Sequence, residues 1–216
     1  MPNEPRRIAR AVTLLVTATC APLAAARDAG TPPARPDVLQ RASLRIPDLI
    51  EDLRYAADDN FLHRAVYPKG SVCWLHRDTL DRLERAAKAL RAKGYRLLVY
   101  DCYRPRSVQW EMWKILPRPG YVADPRKGSN HNRGTAVDLT LADENGRAVE
   151  MPTPFDTFSP AAHHGYAKAS KAAIAHREIL REAMEAAGFR KNRMEWWHYD
   201  VPGATRYPIL DAPLLP

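Results

Sequence analysis

The stretch GSNHNRGTAVDLTL, residues 128–141, limits the fold more than any other part of the chain. It reads as a buried strand, apolar and β-branched, yet it carries Asp138 in its middle and His131 seven residues earlier. A carboxylate taken out of water is costly unless a cation or a full set of hydrogen bonds holds it. The cation has to be an arginine, a lysine or a metal ion. A chain built around this strand must cover it with apolar surface and deliver that partner from elsewhere.

The neighbouring segments supply the cover. RDTLDRLERAAKALRAKG sets Leu80, Leu83, Ala87 and Leu90 at helical spacing and ends in Gly94, which suits a helix C-terminus. YRLLVYD, residues 95–101, follows as a continuous apolar strand. Pro105 opens a second helix carrying Val108, Met112 and Ile115. TAVDLTLAD is a further strand, closed by the turn Glu144-Asn145-Gly146. The spacing of Ile179, Leu180, Ala183 and Met184 predicts a long helix over about 166–187, stopped by Gly188. RMEWWHYDV is the last strand-like run. Helices and strands mix without a regular βαβ alternation, so the expected class is α+β.

The N-terminus reads differently. Arg6, Arg7 and Arg10 precede the uncharged run Ala11–Ala26, which ends in three alanines, the form of an export signal with its cleavage site. The run is short for a membrane span, which needs about 20 strongly apolar residues. The alternatives are an uncleaved anchor or a buried N-terminal helix. We expect a removed signal peptide over 1–26, a linker rich in Pro, Ala and Gly over 27–43, and one folded domain over 44–216. The protein is then periplasmic or otherwise exported, with no stable membrane insertion. Of the formal net charge of +8, +2 lies in the signal and +6 is spread along the rest. No basic patch or motif stands out, so no nucleic-acid partner is expected.

Export also changes how the cysteines read. Cys20 leaves with the signal, and Cys73 and Cys102 are free to pair in an oxidising compartment. A helix from about 77 to 93, followed closely by an antiparallel strand, brings their outer ends together. The alternative is two separate buried thiols. Neither cysteine lies in a CxxC, which argues against a cysteine zinc site.

The stretch MEWWHYD adds His198, with Glu195 three residues before it. His131, Asp138 and His198 form a three-ligand set that would leave zinc one open position. Water bound there has a pKa near 7, and a nearby carboxylate can take its proton. Asp138 is then a ligand and Glu195 the base. In a regular strand an odd offset turns Glu195 and His198 to opposite faces. Both can serve one metal only if the chain turns or bulges at Trp196-Trp197. His63, His76, His163, His164 and His176 read as packing or surface residues.

These motifs resemble a known family. SNHNRGTAVDLTL fits the pattern S-x-H-x-x-G-x-A-x-D, and EWWH fits E-x-W-H, of zinc D-Ala-D-Ala dipeptidases. DLRYAADDNF, YDCYRP and MPTPFDTF…HH look like the same family in the same order. The family is related to the vancomycin-resistance dipeptidases, within the wider group of D-alanyl-D-alanine peptidases. The resemblance implies a hedgehog-like α+β fold with a central antiparallel sheet flanked by helices. It also implies one Zn2+ held by His131, Asp138 and His198, with Glu195 as general base. Arg104 of YRP would steady the oxyanion, and Ser129 and Asp156 would anchor the ammonium group of a small D,D-dipeptide derived from the cell wall. Export argues against a purely cytosolic resistance role and fits scavenging or turnover of wall dipeptide. The rival readings are a D,D-carboxypeptidase that trims peptidoglycan stems and a non-catalytic zinc-containing wall-binding protein.

Overall fold

The computed structural model describes residues 36–216; the expected signal peptide and most of the expected linker lie outside the described residues. The chain runs through β1 (Leu39–Arg41), β2 (Ile50–Glu51), β3 (Trp74–His76), α1 (Arg77–Arg91) and β4 (Arg96–Asp101). It continues through α2 (Arg106–Ile115), β5 (Ala136–Ala142), α3 (Lys171–Ala186), β6 (Arg190–Lys191) and β7 (His198–Asp200). Five strands form one sheet in the order β2-β4-β5-β7-β6, and β1 pairs with β3 in a small second sheet.

The α+β class holds, with three corrections to the expectations. The central sheet is mixed rather than antiparallel, because β2 pairs parallel with β4. The chain passes through β3 and α1 between them, the kind of crossover that parallel neighbours require. Part of the segment expected as linker is folded: Leu39–Arg41 pairs antiparallel with Trp74–His76, ahead of residue 44. The third long helix begins at Lys171 rather than near 166. Ser170 caps it by accepting from the Ala173 N–H at 3.0 Å. The Arg177 guanidinium, donating to the Tyr166 carbonyl at 2.8 Å, holds the preceding residues as a loop.

All seven residues of β5 are buried. Val137, Leu139 and Leu141 join the core formed with Leu80, Leu83 and Leu90 of α1 and Leu180 and Met184 of α3. Strand alternation then turns Asp138 to the opposite face of the sheet. On both sides of it the register brings chemistry alongside. Asp138 faces Asp101 of β4 and His198 of β7, so three strands set these side chains in one row. A register shift between Val99 and Asp101 inserts an extra residue in β4 and makes the first pairing possible.

Two further features fix the loops around that row. Gly134 follows the His131–Arg133 turn at φ 66°, and a Cβ there would stand 2.7 Å from Leu39 Cδ2 and 2.8 Å from the His76 nitrogen. Only glycine meets both demands. Cys73 and Cys102 are joined by a disulfide, with Cα atoms 5.4 Å apart and a sequence separation of 29. It closes the outer ends of β3 and β4, as the antiparallel packing of α1 on β4 suggested. In the chain-entropy view such a loop contributes about 3–4 kcal/mol. The double variant Cys73→Ser/Cys102→Ser should therefore melt roughly 10 °C lower in a thermal scan. An unchanged melting temperature would mean that the bridge adds nothing to stability.

Candidate metal centre and its cleft

The row of side chains across the sheet ends in a tight triangle. His131 Nε2 lies 3.2 Å from His198 Nδ1 and 3.3 Å from Asp138 Oδ1, and His198 Nδ1 lies 2.9 Å from Asp138 Oδ1. Among the described residues, this is the group of histidine and acidic side chains that could hold a metal ion. Zinc bonds of 2.0–2.1 Å in a tetrahedron put neighbouring ligand atoms roughly 3.3 Å apart, so the donor set and its spacing fit zinc.

Electrostatics point the same way. Burial alone would raise the Asp138 carboxyl, but His131 and His198 outweigh it and hold Asp138 far below the usual carboxylate range. Burial likewise works against a charged His198, yet Asp200 and Asp138 raise it well above its ordinary value. A buried cluster with this much carboxylate attracts positive charge. Arg104 does not supply it by direct contact. Its Nε and Nη2 donate to Asp101 Oδ2 at 3.0 and 2.6 Å, and its Nη1 donates to Gln109 Oε1 at 2.8 Å. The groups in direct contact with Asp138 are therefore His131 and His198, and the three together form a set that could hold a metal ion.

Both imidazoles are held from behind. His131 Nδ1 is 2.7 Å from the Cys102 carbonyl, and His198 Nε2 is 3.0 Å from Asp200 Oδ1. Acceptors at those atoms can take a ring proton, so that the opposite nitrogens would be free to donate lone pairs to a metal held in the triangle.

Glu195 stands beside the triangle, with Oε2 3.9 Å from His198 Nδ1. The turn expected at Trp196-Trp197 is present, and β7 starts only at His198, which lets Glu195 and His198 face the same space. Asn192 Nδ2 donates to Glu195 Oε2 at 2.7 Å. Burial, first, pushes the Glu195 carboxyl up to about 7; His198 opposes the rise and Asp138 adds to it.

All the site residues expected from sequence line one pocket of about 230 Å³: Arg104, Ser129, His131, Asp138, Asp156, Glu195 and His198. Ser129 Oγ accepts from the His131 N–H at 3.2 Å. Asp156 has φ 58°, a left-handed backbone rare outside glycine and asparagine-like residues, which marks a geometry held by its surroundings. Its carboxylate accepts from the Tyr55 hydroxyl at 3.0 and 3.2 Å and from the Phe61 N–H at 3.3 Å. Burial, followed by repulsion from Asp138, pushes it up to about 8.

Sequence reasoning missed several members. Tyr55, Phe61, Tyr121, Phe158 and Trp197 wall the pocket, and Asn192 holds Glu195. Asp101 anchors Arg104 while also accepting from the Tyr67 hydroxyl at 2.7 Å. Tyr55, Asp101 and Trp197 stood inside the quoted motifs without a role. Asp200 carried a readable signal, since two residues along a strand from His198 is the same face.

Known proteins resemble the chain over most of its length. Residues 39–213 match the M15 peptidase family described as D-ala-D-ala dipeptidase. The chain belongs to this family. It is 39% identical over 164 residues to the D-alanyl-D-alanine dipeptidase of Escherichia coli K12, covering 76% of this chain and 84% of that protein. The namesake from Enterococcus faecalis is 33% identical over 174 residues, covering 69% of this chain and 84% of its own length. The one from Streptomyces coelicolor is 32% identical over 174 residues, with the same two coverages. As a member of this family the chain is a peptidase, and the family match spans β1 to beyond β7.

Proposed function

We propose that the protein is an exported, zinc-dependent dipeptidase that hydrolyses D-alanyl-D-alanine. The observation that carries this reading is the ligand triangle with Glu195 and Arg104 on the same small pocket. Names of relatives support the substrate. Pocket size supports it too, since about 230 Å³ is below the roughly 300–1,000 Å³ common for drug-sized ligands. The Cys73–Cys102 bridge supports an oxidising compartment, a wall-facing setting in which wall-derived dipeptide is turned over or scavenged.

His131, Asp138 and His198 would hold the metal, which when bound supplies a Lewis acid and an acidified water. The chain's own residues supply the rest. Asn192 occupies Glu195 Oε2 and leaves Oε1 to take a proton from the attacking water. Glu195 then returns that proton to the leaving amine, a double duty suited to a carboxyl raised toward neutrality. Arg104 uses three of its five N–H groups on Asp101 and Gln109, which fixes the guanidinium and leaves two for the oxyanion. Asp156 accepts the substrate's ammonium, whose charge favours the ionised carboxylate over the neutral form. Ser129 accepts from the same ammonium with its remaining lone pair.

The test is a hydrolysis assay on D-Ala-D-Ala and on a stem pentapeptide ending in D-Ala-D-Ala, with and without chelator. We expect cleavage of the dipeptide alone, loss of at least 100-fold with chelator, and recovery on adding zinc. Comparable cleavage of the pentapeptide would favour a carboxypeptidase. Zinc binding without hydrolysis of either would favour a wall-binding role, and chelator-insensitive hydrolysis would reject the metal centre.

A further inference from the structure

We propose that Asp200 is the positioning residue of the metal centre, holding His198 in one tautomer and tying it to the loop that carries His131. The inference rests on the reading of His131, Asp138 and His198 as metal ligands and goes beyond it, to what keeps them ready. His198 and Asp200 lie two apart on β7, so their side chains share a face. Asp200 Oδ1 is 3.0 Å from His198 Nε2, while Nδ1 of the same ring faces Asp138 and His131. A neutral imidazole has one N–H, and an ionised carboxylate can only accept. With a metal on Nδ1, Asp200 would therefore keep the ring's one proton on Nε2, and its charge would make the Nδ1 lone pair a stronger donor.

The same Oδ1 accepts from Asn130 Nδ2 at 2.8 Å. Asn130 directly precedes His131, so one oxygen atom links the strand bearing His198 to the turn bearing His131. Asp200 also faces Ala136 across the β5–β7 ladder, two residues from Asp138. It thus touches the supports of all three ligands without being a ligand itself. The exposed Arg190 has its Nη2 3.9 Å from Oδ2, too distant and too solvated to compete for Oδ1. Asp200 is buried, and its two short hydrogen bonds hold it in this geometry.

The experiment compares the full protein with Asp200→Ala and Asp200→Asn. Zinc affinity is measured by competition with a chromophoric chelator, Co2+-loaded protein is read by its visible absorption bands, and the metal-free forms are melted thermally. Asp200→Ala should bind zinc about 10- to 100-fold more weakly and shift the Co2+ bands. Asp200→Asn keeps a hydrogen-bonding group without the charge and should fall between, about threefold or more weaker than the native residue. A residue that merely supports the fold would lower the melting temperature and leave affinity and spectrum alone. Affinity of the Ala variant within twofold of the native protein overturns the proposal; if that variant fails to fold, the same criterion applies to Asp200→Asn. A native protein that binds no zinc would overturn the metal-centre reading, and this inference with it.

Discussion

Replacing Glu195 by Gln should leave the metal content unchanged and lower kcat by roughly 10²- to 10⁴-fold, toward the upper end because in the proposed mechanism one carboxyl serves as base and then as acid. Glu195 is beside the triangle rather than in it, so the three candidate ligand atoms are untouched by the change. Gln also preserves the contact with Asn192, since its amide oxygen can accept the hydrogen bond now made by Oε2. What disappears is the ability to take up a proton. Metal analysis and steady-state kinetics on the purified variant check both halves. Near-native turnover would show that another group carries the proton, and loss of metal would make Glu195 part of the ligand set.

Arg104→Lys should be nearly as damaging, with a fall of about 10²- to 10³-fold in kcat and little change in KM. The guanidinium is planar and donates to Asp101 and Gln109 at once, so the N–H groups left over point in fixed directions. A lysine ammonium cannot hold both partners and still present donors to a developing oxyanion. Stability should suffer as well. Asp101 is fully buried, and removing the partner of a buried charge typically costs about 3–5 kcal/mol. Lysine keeps the charge and should cost less than alanine does. Kinetics and a thermal melt separate the two effects. A variant with raised KM and normal kcat would make Arg104 a substrate-holding residue only.

Much of this site could be read from sequence because its parts follow local rules. Asp138 was conspicuous as a charge inside an apolar strand, and the parity conflict between Glu195 and His198 forced a turn at Trp196-Trp197 that the structure contains. Helix α1 was legible from the spacing of four apolar residues, all of them buried. The missing parts are those set by distant pairing. The β4 irregularity that brings Asp101 opposite Asp138 leaves no mark in YRLLVYD, which reads as one uninterrupted strand. The parallel placement of the two-residue β2 is decided by sheet register over a span of almost fifty residues, with no local signal. The late start of α3 depends on Arg177 reaching back to Tyr166, a contact between a helix and a loop that periodicity does not encode. The aromatic pocket wall comes from four separate loops, so no short window contains it.

Two of the three candidate ligands stand in the interior of the five-stranded sheet, with paired strands on either side of β5. Central strands of this kind open only at a free energy close to that of unfolding the whole domain, whereas loops open far more cheaply. The centre therefore has no easy way to come apart locally. The strand pairing by itself fixes Asp138 opposite His198, so little order would have to be created when a metal ion arrives. In the proposed metal centre, exchange of the ion would depend on passage through the cleft and on the His131 turn, which Gly134 and the Asn130–Asp200 contact restrain. A centre assembled this way behaves as part of the skeleton of the domain, and its integrity should persist up to the temperature at which the sheet itself melts.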